Sequence, residues 1–500
     1  MTFITYFVSK VDVLLCLSAC IAFLIYWLNG SKKSTRNMPP GPTPLPLIGN
    51  LHLLDRNKPY KSLMELSEKY GDVFTVQFGP KKVVIIAGYK AVKEALVTQA
   101  DDFGQRVDLP VFKLISNDKG IVFSNGESWK STRRFTLSTL REFGMGKKSI
   151  EERIKDELNA FIENIKSHND KPFDATIILN SAVSNIICSI IFGKRFEYGD
   201  RTFIKLIELT AENAHLIGAP KLMLYNYFPL IGSLLGVHKK LQKNTEDLIN
   251  FALEFIQMRR REFDENDIAG YIDAYLKKQK QELTNAVTYF DDENLVFTIL
   301  DLFAAGSETT ATTLHWALLL MAKYPEIQKR VQEEIRTHIK PGQMPTVDDR
   351  RSMPYTDAVI HEVQRFANIV PLNLPHTTAN DVYFRGYCIP KGTEVIPFLT
   401  SVLYDKSQWK TPYAFNPNHF LDASGKFVRQ EAFMPFSAGR RACVGESLAK
   451  MELFLFFTGL LQAFTFHPPA GVSREDLSLD PVLGLLLTPT PHLICARHNS

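Results

Sequence analysis

Helical periodicity constrains this chain more than any other feature. Apolar residues recur at three- and four-residue spacing through 150–167, 174–192, 203–217, 239–262, 292–322, 325–338, 354–367 and 446–463, the pattern of helices that each bury one face. β-rich runs are few. DVFTVQF and KVVIIA, between Asp72 and Ala87, flank Gly79-Pro80 and read as a hairpin. A second cluster, from Asp381 to Phe398, is punctuated by Gly386 and Pro390-Lys-Gly392, and the two clusters are compatible with one small sheet. No repeat, low-complexity tract or composition break divides the chain after residue 50. The expectation is therefore a single mainly α domain with a small β part over 51–500, although length alone favours about three domains.

At 500 residues, 45% apolar and 22% charged, the chain can bury a large core and is no disordered segment. A formal charge of +4 gives no general polyanion field, which disfavours nucleic-acid binding. The cysteines Cys16, Cys20, Cys188, Cys388, Cys443 and Cys495 contain no CxxC pair. That argues against a disulfide framework and a zinc cluster, and for a reducing compartment.

Residues 1–30 carry the run VDVLLCLSACIAFLIYWL from Val11 to Leu28, with Asp12 as its one charge. As a helix it would span roughly 27 Å, enough for a bilayer core. Lys32, Lys33 and Arg36 follow, which by the positive-inside rule leaves the bulk of the chain in the cytosol. Tyr26 and Trp27 sit at interfacial depth. The alternative, a cleaved signal peptide, has its charges on the wrong side and no A-x-A site. A retained signal-anchor transmembrane helix is expected, then a basic, proline-rich hinge over 31–50. Five prolines between Met38 and Pro46 impose extended geometry, and Leu45, Leu47, Ile48 and Leu51 are expected to pack onto the body.

Phe436-Ser-Ala-Gly-Arg-Arg-Ala-Cys443-Val-Gly445 is a glycine-punctuated loop leading into the amphipathic run that starts at Glu446. A cysteine before a helix N-terminus has amides and a dipole that favour thiolate, hence metal ligation. In an arbitrary loop a lone cysteine is more often buried and inert. Phe436 could shield the sulfur and Arg441 could meet an anionic cofactor edge.

This loop resembles the haem-binding signature F-x-x-G-x-R-x-C-x-G of the cytochromes P450, matched at Phe436, Gly439, Arg441, Cys443 and Gly445. The resemblance implies the P450 fold and haem b (iron protoporphyrin IX), with Cys443 as axial thiolate. In that family thiolate ligation is understood to favour O–O cleavage. Ala305-Gly306-Ser307-Glu308-Thr309-Thr310 interrupts an apolar helix, where weak helix formers and competing hydroxyls are expected to widen or bend it. Alone it could be an ordinary kink. It is similar to the family's A-G-x-[DE]-T groove, which implies that Ala305 lies against haem, Thr309 bonds dioxygen and Glu308 relays protons.

Glu362 and Arg365 are an i,i+3 pair that in isolation would be solvated. They resemble the family's buried E-x-x-R, tied to a third residue in P-x-x-F. Here that segment is Pro417-Asn-His-Phe420, and His419 stands where many members carry arginine. These residues are assigned to structure and haem retention. Trp129 and Arg133 resemble the W-x-x-x-R donors to the haem propionates, and the resemblance adds Arg106, His376 and Arg441. Trp129 as plain core packing remains the alternative.

Lys130, Arg133, Arg134 and Arg440 could form a basic face for an acidic electron donor, or be solvated charges without a partner. No dinucleotide fingerprint or iron–sulfur cysteine cluster is present, so electrons must come from another protein. The order of motifs resembles a microsomal, family-two vertebrate monooxygenase. That implies an endoplasmic reticulum membrane location, NADPH-cytochrome P450 reductase as partner with cytochrome b5 as a further donor, and insertion of one atom of O2 into a lipophilic substrate. Fatty acids, steroids and foreign aromatics are the expected substrates. Pocket candidates by analogy are Val122, Phe123, Phe303, Ala304, Leu372, Leu374 and Leu486, although a packed core would show the same residue types. The rival functions are a haem-thiolate isomerase or dehydratase that needs no reductase, and a non-catalytic haem sensor.

Overall fold

A computed structural model describes residues 18, 37–144, 148–284 and 286–499. Apart from Ser18, the expected anchor and its basic flank lie outside the described residues. Among the described residues no helix is long and apolar enough to cross a membrane.

All eight periodic segments are helical: Lys148–Lys166, Thr176–Ile191, Arg201–Gly218, Lys239–Glu262, Asp292–Lys323, Pro325–His338, Pro354–Ala367 and Glu446–Ala463. Their starts follow local chemistry. The Asp291 carboxylate accepts from the Asn294 amide at 2.6 Å and opens the long helix Asp292–Lys323, while Pro325 and Pro354 stand at first-turn positions that need no amide donor. Pro59–Tyr70, Gly126–Glu142 and Tyr271–Gln281 are helical as well. They have no place among the eight periodic segments. In Gly126–Glu142 polar residues interrupt the apolar stripe.

The β hairpin forms as expected from β1 (Val73–Phe78) and β2 (Lys81–Ile86). Its five-stranded sheet runs β1-β2-β7-β4-β3, with β3 at Gln105–Arg106, β4 at His376–Thr377 and β7 at Glu394–Pro397. The parallel β2–β7 pairing joins the two clusters in one sheet. β5 (Val382–Phe384) and β6 (Tyr387–Ile389) form a hairpin of their own, and two further pairs, β8 (Phe464–His467) with β11 (Cys495–His498) and β9 (Pro481–Leu483) with β10 (Leu487–Pro489), complete the β structure.

The proline segment docks by its backbone. Thr75 donates its amide to the Pro40 carbonyl at 2.8 Å and its hydroxyl to the Pro39 carbonyl at 2.9 Å. The expected side-chain docking fails for three of the four leucine and isoleucine residues named above. Leu45, Leu47 and Ile48 are exposed, and Leu51 alone packs on the body. The reason is that amide and hydroxyl donors on β1 hold the chain, which frees those side chains.

The main core lies where the long helix, Thr176–Ile191 and the terminal helix Glu446–Ala463 meet. Gly306 permits a close approach of the first two: a Cβ there would stand 3.0 Å from Ile187 Cγ1. The β9–β10 hairpin is seated between helices. Leu485 donates its amide to Ala214 O at 2.8 Å, Trp316 Nε1 donates to Leu487 O at 2.9 Å, and a Cβ on Gly218 would lie 2.0 Å from the Gly484 carbonyl carbon. Gly218→Ala must push helix and hairpin apart. Overpacking of this kind costs about 1–3 kcal/mol, so a lowered thermal midpoint is expected by calorimetry.

Candidate functional site

The cysteine loop is fixed by backbone contacts. Cys443 donates its amide to Phe436 O at 3.0 Å, and Arg133 donates to Ala442 O at 2.5 Å. Gly439 has φ +72°, and a Cβ there would fall 1.7 Å from Leu96 O, so a side chain is excluded twice over. Cys443 is accessible although its neighbour Arg441 is buried. Although part of the residue is accessible, the protein packed around its sulfur pushes the thiol up, against the pull of the Gly445 amide, Arg133 and the Glu446 amide. The expected lowering by the helix start is therefore outweighed. A bound cation at the sulfur would oppose that upward push.

Beside the loop lies a group of buried cations. Arg106 and His376 are cross-strand partners in β3 and β4. Arg441 donates to Gly104 O at 2.9 Å, Ser124 O at 2.9 Å and Asn125 Oδ1 at 2.8 Å, and its guanidinium carbon stands 3.7 Å from the Trp129 ring centroid. Asn125 Oδ1 also accepts from the Arg106 amide at 2.8 Å. Burial, then the charge of Arg133, lowers Arg106 to about 9. Burial, then Arg106 and Arg133, lowers Arg441 to about 8. His376 is held well below its usual value by burial first and Arg106 next, although its Nδ1 lies 2.5 Å from Phe103 O.

Three buried donors in this group have no protein partner: Trp129 Nε1, His376 Nε2 and Arg441 Nη1. Buried donors need acceptors and mutually repelling guanidinium groups need counter-charge. The residues thus fit a bound group with two carboxylates, as haem has.

The long helix runs without interruption through Ala305–Thr310. Thr309 donates its hydroxyl to Ala305 O at 2.7 Å and Thr313 does the same to Thr309 O at 2.8 Å, so the hydroxyls do compete for helix carbonyls while the helix stays continuous. Ala305 is accessible in an otherwise buried stretch, which marks a hollow beside the helix. Glu308 is 8% exposed, and burial raises its carboxyl from 4.5 to about 7.

Three residues escaped the sequence reading. Asp301 accepts the Ile121 and Val122 amides at 2.7 and 2.9 Å, Glu452 is a buried acid raised to about 8 by burial with Thr310 beside it, and Asn125 braces the arginines. For Asp301 and Glu452 a signal existed: each is a carboxylate set among apolar residues of a buried helix.

Glu362 and Arg365 are fully buried and doubly bonded, at 2.7 and 2.8 Å. Arg365 also donates to the carbonyls of Leu403, Pro412 and Ala414, at 2.9, 2.7 and 2.9 Å. His419 Nδ1 lies 3.1 Å from Glu362 Oε2, and the Asn416 amide donates to Glu362 Oε1 at 2.7 Å. The pair is thus no solvated surface contact.

Among the pocket candidates, Val122, Ala304, Leu372 and Leu374 are half-buried, while Phe123, Phe303 and Leu486 are buried, Phe303 within the main core. The basic face is partly neutralised: Lys130 pairs with Glu127 at 2.6 Å and Arg440 pairs with Asp101, which leaves Arg134 exposed and Arg133 turned to the loop. An open cleft of about 1060 Å³, lined by Lys113, Tyr225, His238 and Phe297 among others, includes none of the residues of the cation group.

A family model described as cytochrome P450 matches residues 39–496. The chain belongs to the cytochrome P450 family. It is 51% identical over 485 residues to cytochrome P450 2K1 of Oncorhynchus mykiss, with 96% of each chain covered. It is 44% identical to cytochrome P450 2B2 of Rattus norvegicus, covering 97% of this chain and 99% of that one. Against cytochrome P450 2C3 of Oryctolagus cuniculus it is 46% identical, covering 96% and 98%. As a P450 of this type it is a haem-thiolate monooxygenase, an oxidoreductase that uses haem held by a cysteine thiolate.

Two measurements check the geometry of this P450. Glu362→Ala leaves Arg365 buried without its counter-charge, at a cost of about 3–5 kcal/mol; denaturant unfolding should show that loss together with poor haem retention. The raised Glu308 carboxyl binds its proton more tightly folded than unfolded. Its ionisation therefore removes stability as pH rises from 4.5 to about 7. Glu308→Gln should flatten that part of the stability–pH curve, measured by thermal unfolding.

Proposed function

We propose that this P450 oxidises lipophilic compounds with electrons relayed from NADPH by a membrane-bound reductase, and that Cys443 is the haem ligand. The observation that supports this most directly is the meeting of three unpartnered buried donors with mutually repelling arginines next to the cysteine loop. Arg106, Trp129, Arg133, His376 and Arg441 would hold the propionates, Phe436 and Gly445 would flank the sulfur, and Ala305 would face the porphyrin. Haem, when bound, supplies the activation of O2.

The chain's own groups do the rest. Glu308, half ionised near neutral pH because it is buried, can accept and release a proton within the working range. Thr309 places a hydroxyl one residue on, and its bond to Ala305 O can be exchanged for one to a ligand. Val122, Phe123, Ala304, Leu372, Leu374 and Leu486 offer apolar surface with few orienting polar groups, which favours lipophilic substrates by buried area. Phe303, within the core, would support that wall from behind. Glu362, Arg365 and His419 keep the segment 411–420 in place and touch no reactant.

The anchor read in residues 1–30, the hinge over 31–50 and the catalytic domain over 51–500 would put the enzyme on the endoplasmic reticulum with its body in the cytosol. The reductase, and cytochrome b5 as a second donor, would approach the Lys130, Arg134 and Arg440 side.

Cys443→Ser should abolish the thiolate-type spectrum of the reduced carbon monoxide adduct, and its retention would move the ligand elsewhere. Thr309→Ala should keep haem and substrate binding while reducing equivalents are lost to peroxide or water. Unchanged coupling in reductase-driven turnover would remove Thr309 from the proton path.

A further inference from the structure

Away from the haem site, three potential metal ligands of different kinds meet at the C-terminal strand pair. Asp170, His467 and Cys495 place one carboxylate oxygen, one imidazole nitrogen and one sulfur within 4.8 Å of one another. His467 and Cys495 are direct cross-strand partners in β8 and β11, so their side chains leave the sheet on one face. Asp170 comes from the turn after Lys148–Lys166, where it has φ +60°, and that turn is held to the same strand region by the Phe173–Ile494 bridge.

The histidine is pre-set for ligation. Its Nδ1 lies 2.9 Å from Pro468 O and donates there, which leaves Nε2 facing Asp170 Oδ1 at 2.8 Å. A backbone carbonyl fixing the tautomer of a ligating histidine is the usual outer-shell arrangement. At this separation Nε2 and the carboxylate oxygen share a proton, and a metal ion would replace that proton once the two atoms open by about 0.5 Å. Cys495 is buried and forms no disulfide, whereas the side chains of His467 and Asp170 are 30% and 35% exposed and give an ion a way in. Arg497 competes, with Nε 3.2 Å from Asp170, but at Oδ2, and Oδ1 stays on the histidine.

We propose that Asp170, His467 and Cys495 bind a divalent transition-metal ion of the zinc type. Sulfur with imidazole selects against calcium and magnesium. Ligand atoms around zinc sit about 3.3–3.8 Å apart given bonds of about 2.0–2.3 Å, so the sulfur has at most about 1 Å to travel inward and the imidazole and carboxylate about 0.5 Å to open, shifts within reach of side-chain rotation. Binding releases the thiol proton, so neutral pH favours it over acid. The fourth position stays open to water. The ion would staple the C-terminal strand to the turn that follows Lys148–Lys166.

The full-length haem-loaded protein, dialysed against chelator and then against zinc chloride, should hold about one more zinc per haem than His467→Ala or Cys495→Ser treated alike, by plasma mass spectrometry. X-ray absorption at the zinc edge should show one sulfur and at least one imidazole neighbour. Zinc, but not calcium or magnesium, should raise the thermal midpoint of the wild type and of neither variant. An intact haem spectrum checks that each variant is folded, and Cys495→Ala and His467→Gln replace any that is not. Equal zinc in wild type and variants, a zinc shell without sulfur, or equal stabilisation by calcium would overturn the site and leave an Asp170–His467 ion pair only.

Discussion

Mutual repulsion among Arg106, Arg133 and Arg441 is the constraint around which this molecule is organised. Guanidinium groups resist losing their charge, yet burial and their own proximity lower two of them to about 9 and about 8. Such an arrangement is expensive by itself and would be relieved by a bound dianion. The elements that bring it together are far apart in sequence: a short antiparallel β3–β4 contact, the start of the Gly126–Glu142 helix and the cysteine loop. Prosthetic group and fold therefore stabilise each other by simple linkage, since whatever binds only the folded state adds to its stability.

A second buried charge system serves the opposite end of the problem. Arg365 satisfies Glu362 and three loop carbonyls at once, so one side chain stands in for secondary structure across a stretch with little of it. A buried pair seldom adds stability over an apolar substitute, but losing one partner is costly. Its use here is positional. The segment from Leu403 to Phe420 is shaped by acceptors gathered on one guanidinium, and Asn416 and His419 return to the same carboxylate.

The helices were legible because each buries one face over several turns. The bounds of Lys239–Glu262 and Pro354–Ala367 match the periodicity residue for residue. The Phe436–Gly445 loop was legible for a different reason: it resembles the haem-binding signature at five positions, and at one of them, Gly439, the structure shows the steric need, a Cβ there falling on Leu96 O. What sequence could not supply was the balance of competing terms. Helix-start amides do act on Cys443, but burial outweighs them. Hydroxyls do compete for carbonyls at Thr309, but the helix absorbs them. Asn125, a polar residue next to a glycine, reads as a turn, and only the fold reveals that one amide oxygen serves two arginines.

Asp301 grips residues 121 and 122 through their main-chain amides and through nothing their side chains contribute. Attachment and lining are thereby uncoupled along this stretch. The half-buried side chain at 122 can be exchanged for another without loosening the tether, while Ile121 and Phe123 stay held in the two cores, so what the stretch presents at 122 can drift while its distance from the long helix is conserved.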